Sequence, residues 1–303
     1  MTVTTAQNLE IRPLNAAFGA EITGVDLSGP LDAETVAALR QAWLDHQVVF
    51  FPEQHLTIDQ QVAFARRFGE LTAPSAILAP VDEDHREVVA FDSREFREEY
   101  VKVGRHHGWH VDITFQATPP AGSVFNIVKL PPVGGATLFA SAQAAYDTLS
   151  PSIRALLDGL VAIHSFGRPS RAGGGISATG VWEDERVDGG FVEHPVVAVH
   201  PETGRKGLFV NPGFTRAIKG LSPRENAALL ELLYDHTLDI DNIIQYRWKN
   251  GGVGFWDNRA IWHRRADDFD PDAVRIVHRV QLRGSAPTGP DPAERTKNLS
   301  HSI

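Results

Sequence analysis

The chain predicts a mainly β fold of the α+β class, a sandwich or jelly roll with helices on one face. Three observations predict it. After residue 110, short runs rich in β-branched or aromatic residues are separated by Gly/Pro turns, with only two helical stretches between them. Hydrophobic residues make up 42% and charged residues 22% of the 303, a globular balance that excludes a fibrous or disordered chain. No internal repeat or linker-like break divides the sequence, so residues 1–303 read as a single domain.

Residues 1–30 read as short β pieces with turns, EIRPLN and AEITGVDLSG. A helix follows, with Asp32 as N-cap and Val36, Leu39 and Trp43 at helical spacing. The apolar run Val48 to Phe51 reads as a buried strand ended by Pro52, and Thr57 with Gln60 forms a capping box for a helix through about Phe68. Residues 81–106 are dense in charge, and residues 167–193 hold Gly173-Gly174-Gly175 among polar residues. Both are expected to be lid-like insertions or solvated loops. The strand runs are AGSVFNIVKL, ATLFA, LVAIHSF, HPVVAVH, GLFV, GVGFWD and RIVHRVQLR. Two helices interrupt them. Ser150-Pro151, and Ser222-Pro223 with Glu225, each place an N-cap Ser ahead of Pro at the first helical position. Residues 285–303 read as a polar tail without chemistry.

Composition narrows the function. A net charge of −9 argues against a general nucleic-acid or anionic-membrane binder, while leaving room for a local cationic pocket. With no cysteine there are no disulfides, thiol nucleophiles or thiolate metal sites, so 13 histidines and the carboxylates form the available ligand set. No apolar run is long enough to span a bilayer, and the start MTVTTAQNLEIRPLN has neither a basic nor an apolar leader region. A cytoplasmic protein is expected.

His110-Val111-Asp112 is a His-x-Asp step, which on a strand turns both side chains to one face. Chance supplies about one such step in a chain of this composition. His85-Arg86-Glu87 and His200-Pro201-Glu202 have the same form and read as solvated surface. His110 differs in its company. His263, in GFWDNRAIWHRRADDF, follows a strand-like run and can supply a third ligand from a neighbouring strand. Two imidazoles and a carboxylate on one face form the facial triad of non-haem Fe(II) oxygenases. Zinc with a bound water uses the same ligands, so a hydrolase stays open at this point.

In RIVHRVQLR, alternation puts Arg275, Val277, Arg279 and Gln281 on one face and Ile276, His278, Val280 and Leu282 on the other. The two arginines stand roughly 13 Å apart, four strand steps. Two inward guanidiniums need anions to pair with them, whereas outward ones are ordinary surface arginines. Their place after His263 favours the inward reading.

WHVDITF at 109–115, PP at 119–120, GGATLF at 134–139, WDNRAIWH at 256–263 and RIVHR at 275–279 stand in the order of a known family. With AEITGVDLSG, VVFFPEQ and FARRFGEL before them, the chain resembles the taurine dioxygenase family from about Ile11 to Gly284. That family includes 2,4-dichlorophenoxyacetate, dichlorprop and alkylsulfate dioxygenases. The resemblance implies a double-stranded β-helix (jelly roll) core and an enzyme dependent on Fe(II), 2-oxoglutarate and O2. It would hydroxylate a small organic anion with succinate and CO2 as co-products.

Matched residue by residue, the resemblance makes His110, Asp112 and His263 the iron ligands. Arg275 becomes the partner of the distal carboxylate of 2-oxoglutarate, with Thr137 its hydroxyl partner. Without the family, Thr137 reads as an ordinary strand threonine. Arg279 matches the arginine facing the substrate's anionic end and the co-substrate's inner carboxylate, and Ile113 a residue whose backbone lines the substrate pocket. Taurine enzymes carry a sulfonate-contacting His before a Pro after the FGEL-like segment. Here Thr72, Ala73, Pro74 and Ser75 hold no histidine, which argues against taurine, and the Gly-rich segment 167–193 suits an anion with a larger body than an aminoethyl chain. His278 is expected to turn away from the site as a hydrogen-bonded structural histidine. His106 and His107 are expected at the surface or anchoring a loop, and Trp109, Trp256 and Trp262 in packing. The family's habit is a homo-oligomer, dimer or tetramer. A zinc hydrolase and a non-catalytic jelly-roll binding protein are the alternatives; the hydrolase gives Thr137 and Arg275 no role.

Overall fold

The computed structural model describes residues 9–72, 79–94, 105–166 and 190–291. The expectations for residues 73–75, for 95–104 and 167–189 within the two insertions, and for 292–303 lie outside the described residues. In chain order the first elements are β1 (Glu10–Pro13), β2 (Ala20–Thr23), α1 (Ala33–His46), β3 (Val48–Phe51), α2 (Ile58–Arg66) and β4 (Val88–Asp92). Then follow β5 (Gly122–Lys129), β6 (Thr137–Ser141), α3 (Ala142–Thr148), α4 (Pro151–Leu157), β7 (Val161–His164), β8 (Val192–Pro195) and β9 (Val197–Val199). The last are β10 (Lys206–Leu208), β11 (Thr215–Ile218), α5 (Pro223–Thr237), β12 (Ile243–Tyr246), β13 (Val253–Asp257), β14 (Ile261–Arg265) and β15 (Ile276–Leu282).

Capping chemistry sets the helix starts. Asp32 accepts from the Thr35 amide to open α1, and both capping boxes form, Thr57 with Gln60 and Ser222 with Glu225. Among the described residues, no helix is long and apolar enough to cross a membrane.

One sheet runs β1-β2-β3-β13-β5-β15-β4; a smaller one runs β12-β6-β14. β3 shows how the layers stack. Val49 and Phe51 join Leu39 and Trp43 of α1 and Val62 and Phe64 of α2 on the outer face of the large sheet. Val48 and Phe50 point the other way, towards Phe139 of β6, Ile261 of β14 and Trp256 of β13. Being covered on both sides makes this strand an unbroken apolar run rather than an alternating one. Beyond the small sheet, Ala140 and Trp262 pack with Tyr146 of α3 and Leu233 and Tyr234 of α5. Helices therefore cover both outer sides of the sandwich, not one face as expected, because the outward residues of both sheets are apolar.

Three local readings change. The charged stretch 81–106 contains β4, whose Val88 and Val89 are buried as it pairs with β15 at the sheet edge. Ser141 ends β6 and at once caps α3, a helix the sequence does not announce. His200 is buried rather than solvated, its Nε2 3.0 Å from Asp257 Oδ2. Asp257 is itself buried at the end of β13 and needs donors, which His200 and Arg259 supply. Burial alone would raise its carboxyl, but those two partners hold it below the usual range.

A second buried histidine pair anchors the segment after Asp112. His164 Nδ1 lies 3.0 Å from Thr114 Oγ1, and His194 Nε2 donates to the Thr114 and Gln116 carbonyls at 2.9 and 3.0 Å. Burial pushes His164 well below its ordinary range, with His194 and Arg216 adding to the shift. The folded chain keeps this ring neutral, while the unfolded chain takes up a proton below about pH 6.5. The unfolded state then binds more protons, so stability falls as pH falls through that window. Going from about pH 7.5 to about pH 5.5 is expected to remove on the order of 1 kcal/mol, read as a lower urea midpoint. An unchanged midpoint would show that the pair accepts a proton without loss of its contacts.

Candidate active site

His110 makes a single antiparallel bridge to His263 of β14, each amide donating to the other's carbonyl at 3.0 and 2.9 Å. Asp112 sits in the turn that follows, and Ile113 adopts a left-handed φ of 56°. The expected strand at 110–112 is therefore one bridge and a turn, and it is the turn that aims Asp112 alongside His110. One ligand atom from each of His110, Asp112 and His263 lies within 4.8 Å of the others. The two Nε2 atoms are each 3.7 Å from Asp112 Oδ1. His110 donates Nδ1–H to the Gly108 carbonyl at 2.9 Å, which leaves its Nε2 lone pair facing the carboxylate.

Electrostatics suit a cation between them. Burial would raise the Asp112 carboxyl, but the Arg279 guanidinium beside it outweighs that and holds the group well below the usual carboxylate range. Burial pushes His263 down to about 3, so its imidazole is neutral and has a lone pair to offer. Two imidazoles and an ionised carboxylate, borderline and hard donors on one face, fit a divalent first-row metal.

His110 and His263 open onto a cavity of about 270 Å³, lined also by Thr137, Trp256, Arg275 and Arg279. Arg275 is 5% exposed; its Nε donates to the Gly135 carbonyl at 3.1 Å, and its Nη2 lies 3.5 Å from Thr137 Oγ1. Among the described residues no carboxylate forms an ion pair with it, although burial has pulled its pKa down to about 10. A desolvated cation facing a cavity without a counter-ion is a place for an anion. Trp248 Nε1–H donates to Thr137 Oγ1 at 2.9 Å, which leaves the hydroxyl proton free to serve the cavity.

β15 keeps the expected alternation: Arg275, Val277 and Arg279 line the cavity. Arg279 places Nη1 2.6 Å from Asp112 Oδ1, with its guanidinium 4.7 Å from the Phe91 ring. Its Nε has no partner among the described residues. His278 turns away as expected, but it is not hydrogen-bonded as expected: its Nδ1 is buried without a partner among the described residues. Gln61 reaches its carbonyl, not its ring. Ile113 is buried but lies outside the cavity lining.

His106 anchors its loop through Asp235 at 2.6 Å, while His107 lines the cavity. Trp109 and Trp262 are core, and the Trp256 ring packs 4.7 Å from that of His263. His85 pairs with Asp82 and Asp59 near the surface, as expected.

Four residues at the site escape the sequence reading: Ser123, Trp248 and Asn258, which hold others in place as Gln281 on the inward face also does, and Gly213. A Cβ on Gly213 would come within 2.7 Å of His110 Cβ and 3.3 Å of the Trp109 carbonyl. Neither is the far end of a flexible chain, so Gly213→Ala is expected to push His110 off its position. A displacement of this kind costs up to about 100-fold in turnover. Metal titration of the variant checks this, and unchanged affinity and rate would show that the 211–214 turn yields instead.

The family model described as "Taurine catabolism dioxygenase TauD, TfdA family" matches residues 10–281. The (S)-phenoxypropionate/alpha-ketoglutarate-dioxygenase of Sphingobium herbicidovorans is 36% identical over 301 residues, spanning 96% of this chain and 98% of that protein. The alpha-ketoglutarate-dependent sulfate ester dioxygenase of Pseudomonas putida is also 36% identical, over 94% of this chain and 93% of its own. A crystal structure of a taurine dioxygenase from Burkholderia xenovorans gives a TM-score of 0.80 at 39% identity, covering 94% of each chain. That of AAD-2 in complex with Mn(II) and N-oxalylglycine gives 0.72 at 27% identity, covering 92% of this chain and 99% of that one. With its match running across most of its length and its three candidate ligands converging, the chain belongs to the taurine catabolism dioxygenase TauD, TfdA family.

Proposed function

We propose that this chain hydroxylates a small organic anion in an Fe(II)- and 2-oxoglutarate-dependent reaction, with succinate and CO2 as co-products. The substrate is a sulfonate, a sulfate ester, an aryloxyalkanoate or another carboxylate. One observation supports the reading above all others: His110 and His263, with Asp112 beside them, stand at a cavity that also holds a buried Arg275, to which no carboxylate is ion-paired among the described residues. Iron, when bound, supplies the activation of dioxygen at its open positions. His110, Asp112 and His263 would hold it. Arg275 and Thr137 would bind and orient the far carboxylate of 2-oxoglutarate through charge-assisted hydrogen bonds. N-oxalylglycine, bound in the AAD-2 structure, has the same dicarboxylate skeleton.

Arg279 would orient the anionic groups nearer the metal, using the N–H groups that Asp112 does not engage. Beside His110, Phe115, Phe166 and Phe214 form an aromatic cluster, with the Phe214 ring 6.0 Å from the imidazole. Such an apolar cluster beside the candidate ligands suits a body larger than an aminoethyl chain. The reading takes residues 1–303 as one domain and places the protein in the cytoplasm as a dimer or tetramer. Its charge of −9 supports small-molecule rather than nucleic-acid or membrane work.

The test is succinate release across sulfonates, sulfate esters, aryloxyalkanoates and amino-acid-like anions, preceded by anaerobic addition of Fe(II) and 2-oxoglutarate. A weak visible charge-transfer band and anion-triggered succinate are expected. Neutral amide or ester analogues should react about 10- to 100-fold more slowly, the worth of one hydrogen bond to a charged group. Equal rates for neutral analogues would remove Arg279 from substrate recognition, and zinc-dependent ester hydrolysis without the band would replace the oxygenase.

A further inference from the structure

The two oxygens of Asp112 have different surroundings. Oδ1 faces both imidazole Nε2 atoms and Arg279. Oδ2 faces away, accepting from the Ser123 hydroxyl at 2.8 Å and from Gln281 Nε2 at 3.1 Å. Ser123 Oγ in turn accepts from Gln281 Nε2 and Asn258 Nδ2, both at 3.1 Å. Asn258 Oδ1 accepts from Trp256 Nε1 at 2.9 Å. Asp112, Ser123, Trp256, Asn258 and Gln281 are all at most 6% exposed, so water does not compete for these bonds.

The direction of the chain of bonds is fixed by chemistry. An indole N–H only donates, so the Asn258 oxygen must face Trp256 and its amide nitrogen must face Ser123. Ser123 then receives two N–H donors, and its one proton is left to point at Asp112. Gln281 Nε2 lies 3.1 Å from both Asp112 Oδ2 and Ser123 Oγ, so its amide donates into the edge that these two oxygens share. Oδ2 is thus held by the Ser123 hydroxyl and the Gln281 amide together.

We propose that Ser123, Gln281 and Asn258 act as a clamp on the Oδ2 edge of Asp112 and confine this carboxylate to binding metal through Oδ1 alone. The inference rests on the reading of His110, Asp112 and His263 as metal ligands. A carboxylate free to rotate can close over a cation with both oxygens and take one of the positions that the co-substrate and dioxygen require. The clamp prevents that rotation. Ser123 and Gln281 are positioning residues that touch the ligand; Asn258 positions at one remove, by setting where the Ser123 proton points. Asn258→Asp is nearly isosteric but places a carboxylate oxygen where the amide donor stood. That oxygen would draw the Ser123 proton away from Asp112.

The experiment is an anaerobic titration of the full chain with Co(II), without 2-oxoglutarate, followed by its ligand-field absorption. The infrared splitting of the carboxylate stretches is recorded alongside. The parent protein is expected to bind one Co(II) with a one-oxygen carboxylate signature. Loss of an outer-shell partner weakens metal binding by about 10- to 100-fold, and Asn258→Asp, Gln281→Leu and Ser123→Ala are each expected to fall in that range. Their ligand-field bands and carboxylate splitting should shift towards two-oxygen ligation, whatever the buried change costs in the thermal midpoint of the metal-free protein. A merely structural role would move the midpoint and leave the spectra alone. If Asn258→Asp and Gln281→Leu bind Co(II) within about twofold of the parent with identical spectra, the clamp is wrong and the ligand reading stands. Failure of the parent itself to bind Co(II) would overturn the ligand reading, and the clamp with it.

Discussion

Asp112→Ala is expected to abolish metal binding and turnover together, and to destabilise the fold as well. The side chain offers Oδ1 to the metal site, pairs with Arg279 at 2.6 Å, and accepts from Ser123 and Gln281. Both members of the Asp112–Arg279 pair are buried, and removing one partner of such a pair costs about 3–5 kcal/mol because the other is left as an uncompensated charge. Arg279 would then stand unpaired in a cavity that Arg275 already makes positive. His110→Ala separates the two effects. That imidazole is 31% exposed and belongs to no buried ion pair of the same strength, so its loss should remove the metal yet leave the urea midpoint close to parental. Iron content, succinate yield and urea unfolding of the two variants check this. Parental iron and activity in either variant would sink the ligand assignment.

What could be read from the sequence was what local rules write down. Asp32, Thr57 with Gln60, and Ser222 with Glu225 sit within three residues of the amides they cap, and the structure shows each of them. Ser141 was hidden because the one residue both ends a strand and caps a helix, leaving no Gly or Pro between. His200 was misread because its turn, HPETG, is locally polar, while the Asp257 that buries it lies 57 residues away. At the site, the three candidate ligands stood out through residue type and order, and Arg275 through strand alternation. Their supports did not: Ser123 lies 135 residues from Asn258, and Thr137 lies 111 from Trp248, distances at which hydrogen-bonding residues leave no pattern. Gln281 is the exception. It shares the alternating face of Arg275 and Arg279, and a buried amide on that face needs partners as much as a guanidinium does. The turn at Asp112 shows the limit of alternation, since a period of two holds only where a strand continues and here it lasts for one bridge.

Arg275→Gln is expected to raise the KM for 2-oxoglutarate about 30- to 1,000-fold, the equivalent of roughly 2–4 kcal/mol for a lost charge-assisted, two-point contact. The size follows from the surroundings. The guanidinium is already out of water and held by the Gly135 carbonyl, and among the described residues no carboxylate neutralises it. An arriving anion therefore meets a donor that is desolvated, fixed in direction and charged. Gln keeps hydrogen-bonding capacity but loses the charge and the planar fork, so metal content should stay near parental while co-substrate binding collapses. Arg275→Lys should fall between the two, since it restores charge as a single point without the fork. Thr137→Val removes one neutral hydroxyl and should cost less, about 0.5–1.5 kcal/mol of hydrogen bonding, plus the partner that Trp248 Nε1 loses. That gradient, Gln worse than Lys and Lys worse than the Thr137 variant, is what distinguishes anion recognition from loss of packing. A KM unchanged in Arg275→Gln, or a loss of metal equal to the loss of 2-oxoglutarate affinity, would place the far carboxylate elsewhere in the cavity.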